Sequence, residues 1–337
     1  MCVKVLLYDY NMLVSEESIV RGYVLVEGRR IADVGEGEPP TDYFRCDMVL
    51  PGRGSVLAQG FVSAVTHLTL YPFRGLIGGR VKFRKVWETV AKLGYEEALS
   101  LAAAGLKHLV EAGVTSVVSL DPHPQAVYDL LRETGVGGLV LVVEDWIQSR
   151  LREASLTGDT VVVKKALMTE VGGGEEFERI GDENKTLGMR WRGKIIAAST
   201  GFEPHNIHAV GAGHHWSYDP RFILAVAARG DVSVREYKVL SMNGNEIIYG
   251  VSTTKLEKNA PANLIALRYG DVPLTLLDST ETVVRDLLSP IHAPRIELVI
   301  SNGNIVVDAG QCLCVKDAYL KRAWNTASRV LGSLLSL

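Results

Sequence analysis

Gln59-Gly60-Phe61-Val62-Ser63-Ala64-Val65-Thr66-His67-Leu68 is the stretch whose reading decides the fold. Phe61, Val62, Ala64 and Val65 form an apolar run of the kind seen in strands buried on both faces, as in parallel sheets. Gly60 follows a turn-like segment, and His67 stands at the strand's C-terminal end. In a parallel barrel that end carries the chemistry. Side chains in a strand repeat every two residues, so Val65 and His67 share a face.

Outward from this strand the chain alternates strand with helix from Gly60 to about Gly230. A helix is predicted over Tyr95–Ala112 from the stripe Ala98, Leu101, Ala102, Leu106, Leu109 and Val110, with Gly113 where a C-cap is expected. Strand Val114–Leu120, helix Gln125–Glu133, strand Leu139–Val143, a helical segment near Trp146–Ala154, strand Thr160–Leu167 and strand Lys194–Ser199 follow. Such alternation implies parallel strands with crossover helices. Gly172-Gly173-Gly174 and the charged stretch to Arg192 read as a mobile surface loop. Lys185-Thr186 within it is not a phosphate loop, because Asn184 stands where glycine is needed.

Both chain ends are β-rich. Val3–Val14 and Tyr23–Asp33 read as strands at one end, with a hairpin turn at Glu27-Gly28-Arg29-Arg30. Asn263–Arg268, Leu274–Leu277, Ile296–Ile300 and Ile305–Val307 read as strands at the other, with the hairpin dipeptide Asn302-Gly303. A closing helix, Ala318–Leu335, places Leu320, Trp324, Ala327, Leu331 and Leu334 on one stripe, expected to pack on the body of the protein.

The 337 residues suffice for a large core and one to three domains. A net charge of −3, a pI near 6.3 and the lack of a basic block argue against nucleic-acid and membrane-surface partners. No apolar run reaches the roughly 18 residues that span a bilayer, and the first residues meet Asp9 too early for a signal peptide. A cytoplasmic location is expected. Cys2, Cys46, Cys312 and Cys314 have no C-x-x-C spacing and are read as buried or free thiols, with a disulfide open to a heat-adapted source. Scarce Gln with abundant Val, Arg and Glu leans toward a heat-adapted composition. No serine nucleophile elbow and no G-x-G-x-x-G at a strand–helix junction is present, which sets acyl-serine and dinucleotide chemistry aside.

Several runs, in order, carry a resemblance. Gly28-Arg29-Arg30-Ile31 through Val34-Gly35 is a short hairpin. The strand ending at His67 follows, then Leu68-Thr69-Leu70-Tyr71-Pro72-Phe73-Arg74-Gly75-Leu76 and Glu111-Ala112-Gly113-Val114-Thr115. Leu240-Ser241-Met242-Asn243-Gly244, Lys255–Ile265 and the hairpin Leu298–Val307 come near the end. Together they resemble the amidohydrolase superfamily, in particular its cytosine-deaminase and chlorohydrolase branch. The resemblance implies an α/β fold: a (β/α) TIM-type barrel over 58–244, and a small β-sandwich that both ends form, 1–57 with 245–315. The helix of 316–337 would pack on the body. It also implies hydrolysis of non-peptide carbon–nitrogen bonds (amide, amidine or deamination) by metal-activated water, with zinc as the divalent metal.

The departures are as informative. The family's first strand carries two histidines, and here the first is Val65. The last barrel strand, read as Lys194–Gly201, holds Thr200 where the family has an aspartate. Lys164 and Lys165 lie on strand four, and about three strand–helix units are missing against the ~250 residues typical of such barrels. The expectation is a reduced or incomplete barrel. A metal site would have to be rebuilt from His67, His205 and His208 with a carboxylate. Asp121, Glu144 and Asp145, each following a barrel strand, are the catalytic candidates. Asp121 could equally cap a helix start. His214 and His215 read as a loop contact. Two readings stay open: a divergent hydrolase of a small molecule, and a descendant without catalysis that binds a small molecule or a partner protein. The opened barrel side and the C-terminal helix point to a homodimer.

Overall fold

The two chain ends meet in one sheet because each end supplies alternating β-formers closed by a glycine turn. At one end are β1 (Lys4–Ser15), β2 (Ser18–Glu27), β3 (Arg30–Glu36), β4 (Met48–Pro51) and β5 (Val56–Gln59). At the other are β15 (Leu264–Arg268), β16 (Arg295–Ser301), β17 (Asn304–Asp308) and β18 (Gln311–Cys312). Among the described residues they form a nine-stranded sheet in the order β18-β17-β16-β15-β5-β1-β2-β3, with β4 beside β1. The seam between the ends is β5 against β15, antiparallel. Asn302 and Gly303 take φ of 47° and 78°, as the tight hairpin demands. A Cβ on Gly303 would lie 1.6 Å from the Gly28 carbonyl oxygen. The two hairpin tips thus back onto each other, and a side chain at Gly303 would force them apart.

This architecture comes from a computed structural model, which describes the chain apart from residues 1–2, 16–17, 54, 78–80, 144–156, 159–160, 167–176, 183–184, 199–205, 213–217, 229–232, 251–254, 269–278, 290–294 and 336–337. For 142–143, 157–158, 161–166, 177–182, 185–187, 227 and 295 the backbone alone is described.

The middle of the chain is built on β6 (Phe61–Thr66), β7 (Val114–Leu120), β8 (Gly137–Val143) and β10 (Val161–Ala166), hydrogen-bonded in that order and all parallel. A short β9 (Thr157–Gly158) pairs antiparallel with β10. Every residue of β6 and β7 is buried, which explains their near-continuous apolar sequence. The crossovers are α1 (Phe83–Ala91) with α2 (Tyr95–Glu111), and α3 (Pro124–Thr134). The expected stripe of α2 is the buried one. Glu97 accepts the Gly94 N–H at 3.2 Å and so caps the start of α2. Gly105 lets α2 approach the 3-10 turn Leu68–Phe73, for a Cβ there would lie 2.6 Å from the Leu68 carbonyl oxygen.

Three readings need correction. The charged stretch before Arg192 is not a loop: β11 (Phe177–Asp182) and β12 (Lys185–Trp191) form an antiparallel hairpin. Its signal is the alternation Leu187, Met189, Trp191, which the charged residues around it obscure. Nor is the strand at Lys194 the last of its set. β13 (Lys194–Ala197) is followed by a parallel neighbour, β14 (Ile207–Val210). The residue after β14, Gly211, abuts β6, since a Cβ on it would lie 2.2 Å from the Val65 backbone. The Ala212 N–H also reaches the Ser63 hydroxyl at 3.0 Å. Hence β14 flanks the first parallel strand, although the described strands do not close a barrel through backbone pairing.

The remaining helices are α4 (Pro220–Ala227), α5 (Val234–Tyr237), α6 (Asn243–Tyr249), α7 (Thr280–Leu288) and α8 (Asp317–Leu335), with one π turn, Lys238–Met242, joining α5 to α6. The third correction concerns α8. Its buried face is Ala323, Thr326, Ala327, Val330 and Leu334, while Trp324 is 76 % exposed. Two alanines let α8 lie close on α2, where Arg322 and Arg329 pair with Glu96 and Glu97. Trp324 is too bulky for that close face. Among the described residues no helix is long and apolar enough to cross a membrane. The helical segment expected near Trp146–Ala154 and the strand Leu274–Leu277 lie outside the described residues.

Candidate functional site

The chemistry-bearing side chains fall into two places. The first is the C-terminal end of β6. His67 is fully buried there, its ring 5.5 Å from Phe83 and 5.8 Å from Trp87 on α1. Its Nδ1 meets the Leu120 carbonyl at the end of β7. A carbonyl only accepts, so Nδ1 carries the proton, and in the neutral ring Nε2 is the nitrogen with the lone pair.

Asp121 is the next residue after β7 and is also buried. Its carboxylate accepts from the Leu68 N–H at 3.0 Å, the Thr69 N–H at 2.8 Å, the Thr69 hydroxyl at 2.6 Å and the Ser119 hydroxyl. It therefore caps a helical start, but that of the turn Leu68–Phe73 rather than that of α3. The α3 start belongs to His123, whose Nε2 meets the Val90 carbonyl at 2.8 Å. Tyr218 closes this end from the other side, stacked edge-on at 4.9 Å from Tyr71. Burial, then the nearby Asp121 carboxylate, pushes its phenol well up, so Tyr218 stays neutral.

The second place surrounds His208 on β14. Its Nε2 lies 3.1 Å from Glu246 of α6, which also takes Lys194 of β13 at 2.9 and 3.0 Å. Trp191 stacks on the imidazole with centroids 6.1 Å apart. Burial, then the Lys194 ammonium, holds His208 below the usual imidazole range against the pull of Glu246. The same Lys194 hydrogen bond lowers Glu246.

Of the sequence candidates, His67 and Asp121 thus share one buried end, and His208 belongs to a separate ion-pair cluster. Glu144, Asp145 and His205 lie outside the described residues, as do Thr200, His214 and His215. Sequence reading missed Thr69, Ser119, Glu246 and Lys194. Thr69 and Ser119 had no spacing signal, and Glu246 is partnered across 52 residues. Among the described residues no three His, Cys, Asp or Glu side chains gather into a metal site. Asp121 has its oxygens committed to four donors, Val65 supplies no metal ligand, and Gly211 and Ala212, which follow β14, bring none. The described donors alone do not fit a resident ion, which needs three protein ligands and an open position.

No protein-family model matches the chain. A 5'-deoxyadenosine deaminase of Methanothermobacter thermautotrophicus is 31% identical over 122 residues, 35% of this chain and 28% of that protein. A 5-methylthioadenosine/S-adenosylhomocysteine deaminase of Thermococcus onnurineus is 23% identical over 274 residues, 80% of this chain and 53% of that one. The matches span between about a quarter and a half of these curated relatives. Among solved structures, a zinc-bound adenosine deaminase from Xanthomonas campestris aligns with a TM-score of 0.73 at 13% identity, covering 98% of this chain and 99% of that one. A mutant atrazine chlorohydrolase from Arthrobacter aurescens TC1, complexed with zinc and atraton, aligns at 0.71 and 14% identity, covering 97% and 100%. At such identities the structural likeness speaks for the fold, and the deaminase relatives speak for descent. With the ordered series of motifs from Gly28 to Val307, they support an amidohydrolase-superfamily member.

Proposed function

We propose that this chain is a divergent amidohydrolase-type hydrolase that acts, in the cytoplasm, on a non-peptide carbon–nitrogen bond of a small molecule. In that reaction the oxygen of water bonds to the carbon, and the nitrogen leaves carrying a proton. The carrying observation is the setting of His67: a buried imidazole at the C-terminal end of the first parallel strand, its Nδ1 anchored on the Leu120 carbonyl. Such anchoring fixes the tautomer that a base or a ligand needs. The deaminases in the matched set favour an amino-substituted purine nucleoside as substrate. Zinc in the solved neighbours is the ground for naming zinc as the ion. No step is assigned to it, because the described donors do not complete its site.

A second reading has its own support. Val65 in place of a ligand and the commitment of Asp121 to backbone donors suit a descendant that binds such a molecule, or a partner protein, without turnover. Ammonia release from 5'-deoxyadenosine and 5-methylthioadenosine, measured beside zinc content in wild type and His67→Ala, separates the two. Turnover with about one equivalent of zinc, both lost in the variant, supports the hydrolase. Calorimetric binding of a nucleoside with no zinc and no ammonia supports the second reading. The nine-stranded sheet is read as the composite β-sandwich domain, and 58–244 as the reduced barrel. The proposal includes a homodimer through the exposed Trp324 face of α8, which sedimentation returning a monomer at high concentration would remove.

A further inference from the structure

Cys312 and Cys314 lie on the outermost strand of the nine-stranded sheet and on the step into α8. They are two apart on a nearly extended segment, so their side chains fall to one side, and their sulfurs stand 3.6 Å from each other. Leu313 between them is 60 % exposed. Both thiols are half-buried against the main core. The backbone here is held on two sides: the Cys312 N–H donates to Glu111 of α2 at 3.3 Å, and the Leu313 N–H to the Val306 carbonyl at 2.9 Å.

We propose that Cys312 and Cys314 form a reversible thiol–disulfide couple whose co-reactant is a small-molecule disulfide. The Cys312 thiolate attacks one sulfur of that disulfide, which breaks its S–S bond and expels one thiolate. A mixed disulfide on Cys312 results. Cys314 then gives up its proton to the expelled thiolate and attacks the Cys312 sulfur, releasing the second small thiolate. The two protein thiols are oxidised, and one small disulfide is reduced to two thiols. The proposal is independent of the hydrolase reading.

The surroundings assign the two roles. The hydrogen bond from Cys314, with the N–H groups of Val315 and Cys314, lowers Cys312 to about 7 against the effect of burial. That same bond and burial push Cys314 up, so it holds the proton. The sulfurs must close by about 1.5 Å to reach bonding distance. Among the described residues β18 is a sheet edge partnered by β17, and Cys314 lies beyond the Cys312 and Leu313 hydrogen bonds, so the shift falls on the Cys314 end of the segment. The ring spans three residues, and so short a loop constrains the unfolded chain little.

The test incubates the full chain in glutathione buffers of rising oxidised fraction, followed by intact mass and peptide mapping. The expected result is loss of two hydrogens, a bridge between Cys312 and Cys314, and reversal by dithiothreitol. C314S should stop at one glutathionyl group on Cys312. Alkylation of native Cys312 should rise through pH 7, about threefold faster there than for the denatured chain. Two thiols that stay alkylatable across the whole series would overturn the proposal, as would a link to Cys46 or to a second chain. An alkylation profile that rises only near pH ~8.5 would overturn the assignment of Cys312 as the attacking thiol.

Discussion

His67 and His208 stand at the ends of adjoining strands, each in a cluster that holds a carboxylate, yet the two carboxylates have different duties. Asp121, fully committed to the donors of Leu68, Thr69 and Ser119, holds a turn closed in a dry interior. Glu246, about a third exposed, neutralises Lys194 and touches His208. The difference teaches that residue type near a strand end does not assign a role. What a carboxylate does follows from which donors have already claimed its oxygens.

Breaking the buried member should have the largest effect. Asp121→Ala strands the N–H groups of Leu68 and Thr69 away from water, at a cost of about 3–5 kcal/mol. Urea unfolding checks this, and a loss under 1 kcal/mol would mean the turn has other acceptors. His67→Ala empties the space beneath Phe83 and Trp87 and should cost about 2–4 kcal/mol; a smaller loss would mean that α1 collapses into the gap. Gly211→Ala probes the seam between the two places. A Cβ 2.2 Å from the Val65 backbone must push β14 off β6, with an expected loss of about 1–3 kcal/mol. An unchanged midpoint would show the seam to be loose.

The partly exposed member should move least. Glu246→Gln is expected to cost about 0.5–1 kcal/mol, and its signature is in titration. His208 is held below 6.5, so the folded chain binds its proton less readily than the unfolded one. Its contribution is therefore present above about pH 6.5 and is lost as pH falls toward the folded value. Glu246 is lowered from 4.5, so its contribution is lost further into acid. Glu246→Gln removes the group that raises His208, and the ring's NMR titration midpoint should drop further. A midpoint that rises instead would reverse the roles of Lys194 and Glu246.

Much of this was legible in the chain. β6, β7 and α2 follow from periodicity, because a strand buried on two faces and a helix buried on one impose different repeats. The Asn302-Gly303 turn follows from its dipeptide, because Asn and Gly accept the positive φ that a tight hairpin needs. The β11–β12 hairpin is obscured by its charges, and the stripe that includes Trp324 lies one position around the helix from the buried face of α8. There the close approach to α2 selects Ala323 and Ala327 over Trp324, a choice that depends on the partner helix.

The site divides in the same way. The sequence by itself determined that one imidazole stands at the end of the first parallel strand, that Val65 cannot assist it, and that deaminase-like motifs run in order through the chain. Only the tertiary structure decided that Asp121 serves the Leu68 turn, that His208 belongs with Glu246 and Lys194, and that Cys312 and Cys314 bring their sulfurs together at the root of α8. Periodicity is a property of neighbours along the chain, whereas most of the hydrogen-bond claims on these carboxylates come from residues 52 or 53 positions away, which no local pattern records.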